Sequence, residues 1–214
     1  MTSNLRSKLK ALFNSCYVLG GSPCSGKSTL AERLSCTYDL PYYKADDHMW
    51  RHLNQADPKL QPTMAAYSKM SWDEIWSQPV NKQVKDVFAY YTEQFPMILD
   101  DLFEYCDQGP IIMEGIAFLP ELVYAWGVPF NRALFLVPSK AFQIGYYAQR
   151  EWVQPILDSC RDPDQAFASW MERDHQCGLG ILQQVKACEY QTVIVDESTN
   201  PEKIFELGTA HFRL

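Results

Sequence analysis

Apolar positions change period several times along this chain, and each change marks an element. Leu5, Leu9, Leu12 and Phe13 stand among Arg6, Lys8 and Lys10, which predicts a short amphipathic helix over residues 1–15. Cys16-Tyr17-Val18-Leu19 is then an apolar run fit for a buried strand. Ser28 to Tyr38 returns to helical spacing, with Leu30, Ala31 and Leu34 on one face. Leu40-Pro41-Tyr42-Tyr43-Lys44 reads as a second strand. Residues 53 to 79 read as loop, broken by Pro58, Pro62 and Pro79, with a helical piece around Met64 to Met70. Trp72 and Trp76 share a helical face. From Val80, the residues Val84, Val87, Phe88, Tyr91 and Phe95 recur at helical spacing. Pro96 predicts a kink or restart before Ile98, Leu99, Leu102 and Phe103 continue the pattern.

The second half alternates in the same way. Gly109-Pro110 ends the helices, and Ile111-Ile112-Met113 is a third strand closing on Glu114-Gly115. Phe118-Leu119-Pro120 opens a short helix, and Ala133 to Val137 is a fourth strand ended by Pro138. Ser139 to Val153 predicts a helix carrying Arg150. Gln154 to Gln165 is polar and turn-rich, a composition that suits a mobile lid. The helix after it, with Phe167, Trp170 and Met171, puts Arg173 on the lid's far side. Gln191 to Val195 is a fifth strand, and Pro201 opens the last helix. There is no internal repeat and no low-complexity tract, so the 214 residues are read as one domain.

Composition narrows the class. Aromatics make up 14% of the chain, enough to line a ligand pocket or simply to fill a core. A net charge of −7 disfavours nucleic acid as a partner, since phosphates call for a basic face. Seven cysteines show no C-x-x-C pair and no zinc-like spacing, which points to reduced thiols and a cytoplasmic setting. No apolar run is long enough to span a membrane.

The chemistry centres on Gly21-Ser22-Pro23-Cys24-Ser25-Gly26-Lys27-Ser28-Thr29, the Walker A pattern G-x-x-x-x-G-K-[ST]. Lying between strand and helix signals, it predicts a loop whose backbone N–H groups converge on phosphate at a helix N-terminus. Lys27 would reach the β- and γ-phosphates of ATP, and the Ser28 hydroxyl would ligate Mg²⁺. Cys24, beside Lys27 and a helix N-terminus, has two features that lower a thiol pKa, although a small residue filling a tight loop explains it too. Asp46 and Asp47 directly follow a strand. They can hold Mg²⁺ through water or take a proton from an attacking hydroxyl, or they simply begin a helix. His48 and His52, four apart, have a spacing that can bind metal. Glu114 ends a strand and can orient a metal's water shell, while Gly115 lets a substrate approach the backbone. Glu93 and the pair Asp100-Asp101 are candidate substrate contacts or ordinary solvated charges. Arg150, Arg173 and, less so, Arg161 flank the lid and can stabilise charge on a transferred phosphoryl group, or form surface ion pairs.

Together, the 21–29 loop, Asp46-Asp47, Glu114-Gly115, Arg150 and Arg173 resemble the P-loop small-molecule kinases, the group of adenylate, shikimate, gluconate and chloramphenicol kinases. The resemblance covers residues 16 to 214. It implies a three-layer α/β fold with a five-stranded parallel sheet, a helical substrate-binding insertion near residues 53–108, and a lid near residues 150–173. It implies an ATP- and Mg²⁺-dependent transfer of the γ-phosphate to a small-molecule hydroxyl, with Asp46 or Asp47 as base and Asp46, Asp47, Glu93 and Gly115 near the acceptor. It also implies that Ser198 to Pro201 border the adenine. No Asp-Gly-Phe-Pro-Arg stretch is present, which disfavours a classical adenylate kinase. Three rivals remain: a nucleoside or nucleoside-monophosphate kinase, a slow ATP-hydrolysing switch acting through a partner, and a nucleic-acid end kinase, which the acidic charge disfavours. Arg51 is the only arginine between residues 34 and 131, so a highly charged acceptor looks poorly served by the insertion.

Overall fold

The structure is a computed structural model that describes residues 3–214; residues 1 and 2 of the first predicted helix lie outside them. Five short strands form one parallel sheet: β1 (Tyr17–Gly21), β2 (Tyr42–Lys44), β3 (Ile112–Glu114), β4 (Ala133–Pro138) and β5 (Gln191–Val195), in the order β2-β3-β1-β4-β5. The helices are α1 (Ser3–Ser15), α2 (Lys27–Tyr38), α3 (Ala45–Gln55), α4 (Pro62–Tyr67), α5 (Trp72–Trp76), α6 (Val80–Leu102), α7 (Pro120–Ala125), α8 (Lys140–Tyr147), α9 (Val153–Asp158), α10 (Pro163–Ala187) and α11 (Pro201–Phe212).

The sheet is covered on both faces at its centre, where β1, β3 and β4 are buried throughout. Alternate residues of β1 divide between the two sides. Val18 joins Leu9, Phe13, Phe95, Ile98, Phe135 and Ile181 in a core under α1, α6 and α10. Tyr17 and Leu19 face Leu30, Leu34, Leu136, Ile204 and Phe212 in a core under α2 and α11. Because β1 is flanked by β3 on one side and β4 on the other, chain connections leave it in opposite directions. A crevice opens beyond the carboxyl ends of strands at such a place.

Three helical expectations change. α6 runs without a break through Pro96. Proline removes one N–H and costs about 3 kcal/mol in a helix interior, but Phe95, Ile98, Leu99 and Leu102 on either side are buried and hold the helix in place. Residues 53–79, read as loop with a helical piece near Met64–Met70, also contain the end of α3 and the short helices α4 and α5. α5 starts at a capping box, in which Glu74 N donates to Ser71 Oγ and Ser71 N donates to Glu74 Oε2. That Ser-x-x-Glu pattern is a sequence signal that periodicity alone overlooks. Finally, the predicted helix over Ser139–Val153 ends at Tyr147, so Arg150 stands in a turn.

The segment read as a lid is partly helical and packed. Val153, Leu157 and Cys160 are buried in a third cluster with Cys24, Trp76, Tyr147, Trp170 and Met171. Among the described residues, no helix is long and apolar enough to cross a membrane.

Candidate functional site

The 21–29 loop begins where β1 stops pairing. Gly21 has φ +121°, and a Cβ there would lie 1.9 Å from the Leu136 carbonyl oxygen of β4, so only glycine lets the chain turn away at this depth. Ser22 N still donates to Leu136 O at 3.1 Å. Cys24 (φ 59°) and Gly26 (φ 80°) are both left-handed, which curls the loop back so that α2 begins at Lys27. Ser25 Oγ donates to Ser22 O at 2.9 Å and fixes the curl. Lys27 is 7% exposed, and its Nζ donates to Ser22 O at 2.8 Å. The ammonium is held by a neutral carbonyl, with no carboxylate partner among the described residues.

Register brings the acid to this cation. Leu19 pairs with Glu114 across β1 and β3, and Lys44 pairs with Glu114 across β2 and β3. Glu114 is 1% exposed; its Oε2 accepts from Ser28 Oγ at 3.2 Å and from Tyr42 Oη at 3.1 Å. Burial pushes its carboxyl above the usual range, against the opposing pull of Lys27 and the two hydroxyls. Gly115 follows at φ +150°, and a Cβ there would come within 2.8 Å of Ala45 Cβ, the residue that opens α3. Its glycine therefore serves close packing of β3 against α3.

A single cavity of about 590 Å³ joins these groups. Residues 23–29 of the loop form its floor, with Glu114 and Ile116 beside them. Asp46, Tyr91, Arg150, Tyr146, Trp152, Thr199, Asn200 and Pro201 complete its lining. Asp46 and Asp47 both occupy the first turn of α3 and are exposed, but only Asp46 lines the cavity. Arg150 lies 5.6 Å from the Tyr147 ring centre and 5.7 Å from that of Trp152, with no ion pair among the described residues.

Other candidates lie elsewhere. Glu93 accepts from Thr63 N at 2.8 Å and Met64 N at 3.0 Å, so its carboxylate caps α4 outside the cavity. Arg161 is bound to Asp73, with Nε to Oδ2 at 2.8 Å. Arg173 sits in α10, pairs with Asp174 and stacks over Trp76 rather than lining the loop. His48 and His52 join no metal-binding group among the described residues. Instead His52 Nε2 meets Asp101 Oδ2 at 2.9 Å while Gln94 Nε2 meets its Nδ1 at 3.1 Å. Burial lowers the His52 pKa, and a neutral ring protonated at Nε2 satisfies both contacts. The Cys24 thiol is pushed up to about 11 by burial, which outweighs Arg150 and Lys27 and removes the expectation of an acidic thiol.

The sequence reading passed over several cavity residues. Tyr91, Tyr146 and Trp152 come from separate parts of the chain and carry no motif; only the tertiary structure gathers them.

No protein-family model and no curated protein matches this chain. Among solved structures, it is similar to a protein from Chloroflexus aurantiacus J-10-fl described as a "putative kinase", at 16% identity over 93% of this chain and 98% of that one, with a TM-score of 0.44. At that level of superposition the likeness carries no argument about activity.

Proposed function

We propose that this chain is an ATP- and Mg²⁺-dependent kinase of the P-loop type, one domain over residues 1–214, that phosphorylates a hydroxyl of a small molecule. One observation carries the reading: Lys27, Ser28, Glu114 and Asp46 line a single cavity, at the point where the sheet's connections diverge. The donor set fits a triphosphate with its metal. Lys27 Nζ now donates to a backbone carbonyl that a phosphate oxygen would replace, and the left-handed Cys24 and Gly26 curl the loop's amides around the same space. Ser28 Oγ and Glu114 Oε2, 3.2 Å apart, are a hydroxyl and a carboxylate of the type Mg²⁺ takes, directly or through water. When bound, Mg²⁺ supplies charge neutralisation on the phosphates.

The rest is done by the chain. Loop amides and Lys27 hold the β- and γ-phosphates. Asp46 takes the proton of the acceptor hydroxyl as its oxygen bonds to the γ-phosphorus, the bond from that phosphorus to the β-bridging oxygen breaks, and ADP leaves. Arg150, unpaired over Tyr147 and Trp152, offsets charge on the phosphoryl group in flight. Thr199 to Pro201 border the base, while Trp152 and Tyr146 exclude water. Asp46 is the base because Asp47, one residue on, does not line the cavity.

The test is ADP release from Mg·ATP against pools of hydroxylated metabolites, nucleosides and aminoglycoside-like compounds, with Lys27→Ala beside the wild type. Acceptor-dependent release should fall by about 10²-fold or more in that variant. Lys27-dependent ATP binding with no pool raising turnover would favour the switch reading instead.

A further inference from the structure

Glu114 carries two hydroxyl donors on one oxygen, and one of them comes from outside the cavity. Its Oε2 accepts from Ser28 Oγ at 3.2 Å and from Tyr42 Oη at 3.1 Å, while Oε1 accepts no hydrogen bond among the described residues. Ser28 lines the cavity with Glu114, but Tyr42 does not. Sheet geometry explains how an outside residue reaches in. Tyr42 pairs with Ile112, and Lys44 with Glu114, across β2 and β3. Residues two apart in a strand share a face, so Tyr42 stands diagonally across from Glu114 on one side of the sheet. A phenol spans that diagonal where a shorter side chain falls short. The Tyr42 ring is half-buried against the core under α2 and α11, which holds the hydroxyl at its tip in place.

A glutamate at this place needs such a hold. Three rotatable bonds separate its carboxylate from the backbone, so a single hydrogen bond leaves the group free to turn. Ser28 Oγ is itself committed to Mg²⁺ in the reading above. Tyr42 is the donor that holds Glu114 without competing for the ion. We propose that Tyr42 is a positioning residue for the metal: its hydroxyl fixes Oε2 of Glu114 and leaves Oε1 free for the ion or its water. This rests on the kinase reading and deepens it at the same site. Tyr42 touches neither nucleotide nor metal; it acts through Glu114. Outer partners that orient a metal's ligands are worth about 10- to 100-fold in metal affinity.

The experiment titrates Mn²⁺, as the probe for Mg²⁺, into the full chain with stoichiometric ADP. Electron paramagnetic resonance reads the result, since its line shape distinguishes Mn²⁺ held by the protein from Mn²⁺ or Mn·ADP in solution. Tyr42→Phe removes one oxygen and keeps the ring, and should raise the Mn²⁺ Kd about tenfold. The Kd of metal-free ADP should move by less than about twofold. In a Glu114→Gln background the same substitution should add less than about twofold, because the residue it acts through no longer binds the ion. Tyr190→Phe is the control for the loss of a buried phenol: Tyr190 Oη donates to Val128 O at 2.9 Å, just before β5 and away from the cavity. It should leave the Mn²⁺ Kd unchanged. An unchanged Mn²⁺ Kd in Tyr42→Phe overturns the proposal and leaves the kinase reading intact. So does an equal rise in Tyr190→Phe, or a tenfold effect that persists beside Glu114→Gln, since either marks a general loosening of the sheet. Wild-type protein that holds no Mn²⁺ with ADP, or binds ADP as well after Lys27→Ala, overturns the kinase reading and the role of Tyr42 with it.

Discussion

Glu114 shows how one side chain can serve the site at the expense of the fold. A carboxylate 1% exposed, served by two hydroxyls and no direct cation, is an expensive group to bury. Burial raises its folded pKa above the unfolded value, so the folded state holds its proton to higher pH than the unfolded chain does. Stability from this group is therefore present at low pH and lost as pH rises from the ordinary glutamate range through the raised folded value. Glu114→Gln removes that loss while its amide oxygen still accepts from Ser28 and Tyr42. We predict a Tm at pH 7.5 higher by about 2–4 °C, the shift that about 1 kcal/mol gives in a chain of this size. Mg²⁺-dependent turnover should fall by about 10²-fold in the same protein. A calorimetric scan and an ADP assay read the two effects, and a lower Tm would contradict this account. At this scale the sequence was informative where function is local. Residues 21–29 are contiguous, and their spacing alone dictates the curl. Arg173 was visible as a residue but not as a place, because Trp76, on which it stacks, comes to it from a distant part of the chain.

Elements carry the second lesson, that charge in a helical insertion is mostly structural. Glu93 on α6 reaches across to the bare N-terminus of α4, where Pro62 supplies no N–H and Thr63 and Met64 have no intrahelical acceptor. Capping by a carboxylate satisfies both donors and complements the helix dipole. Glu93→Ala should lower stability by about 1–2 kcal/mol, the usual value of a lost cap, and leave the ATP KM unchanged. Urea unfolding followed by an ADP assay tests this, and a selective rise in the KM of the acceptor would return Glu93 to the site. From the sequence, Glu93 was one acidic residue among several on a long amphipathic helix. Its partner is an N–H pair about thirty residues away, and no periodicity announces such a contact. The Ser71–Glu74 capping box, by contrast, was fully local and could have been read.

Across the whole molecule, buried titratable groups set the acid limit. Asp101 on α6 ties β2 and α3 together, accepting from Tyr43 Oη at 2.8 Å and Arg51 at 2.7 Å, with His52 Nε2 at 2.9 Å. Burial acts to raise its pKa, but the hydrogen bonds from Arg51 and Tyr43 and the nearby charges win and hold it low. His52 and His211 are both lowered by burial. As pH falls through the ordinary histidine range near about 6.5, the unfolded chain binds protons that folded His52 and His211 refuse, so stability is lost. Asp101 adds its loss lower still, as pH drops through its depressed folded value. The urea midpoint should therefore fall between pH 7.5 and 5.5, and His52→Asn should flatten that fall, leaving the part due to His211. A pH-independent midpoint would count against it.

The sequence by itself determined the strands, the 21–29 loop and the amphipathic faces, because strand burial, loop curl and helix stripes are short-range consequences of residue order. The tertiary structure decided which charges face the cavity and which cap helices. It placed Asp46 on the cavity lining and not Asp47, spent Glu93 on α4, and set Arg173 on Trp76. Those outcomes depend on crossings between elements far apart in the chain, where a side chain's partner is fixed by packing and not by its neighbours in sequence.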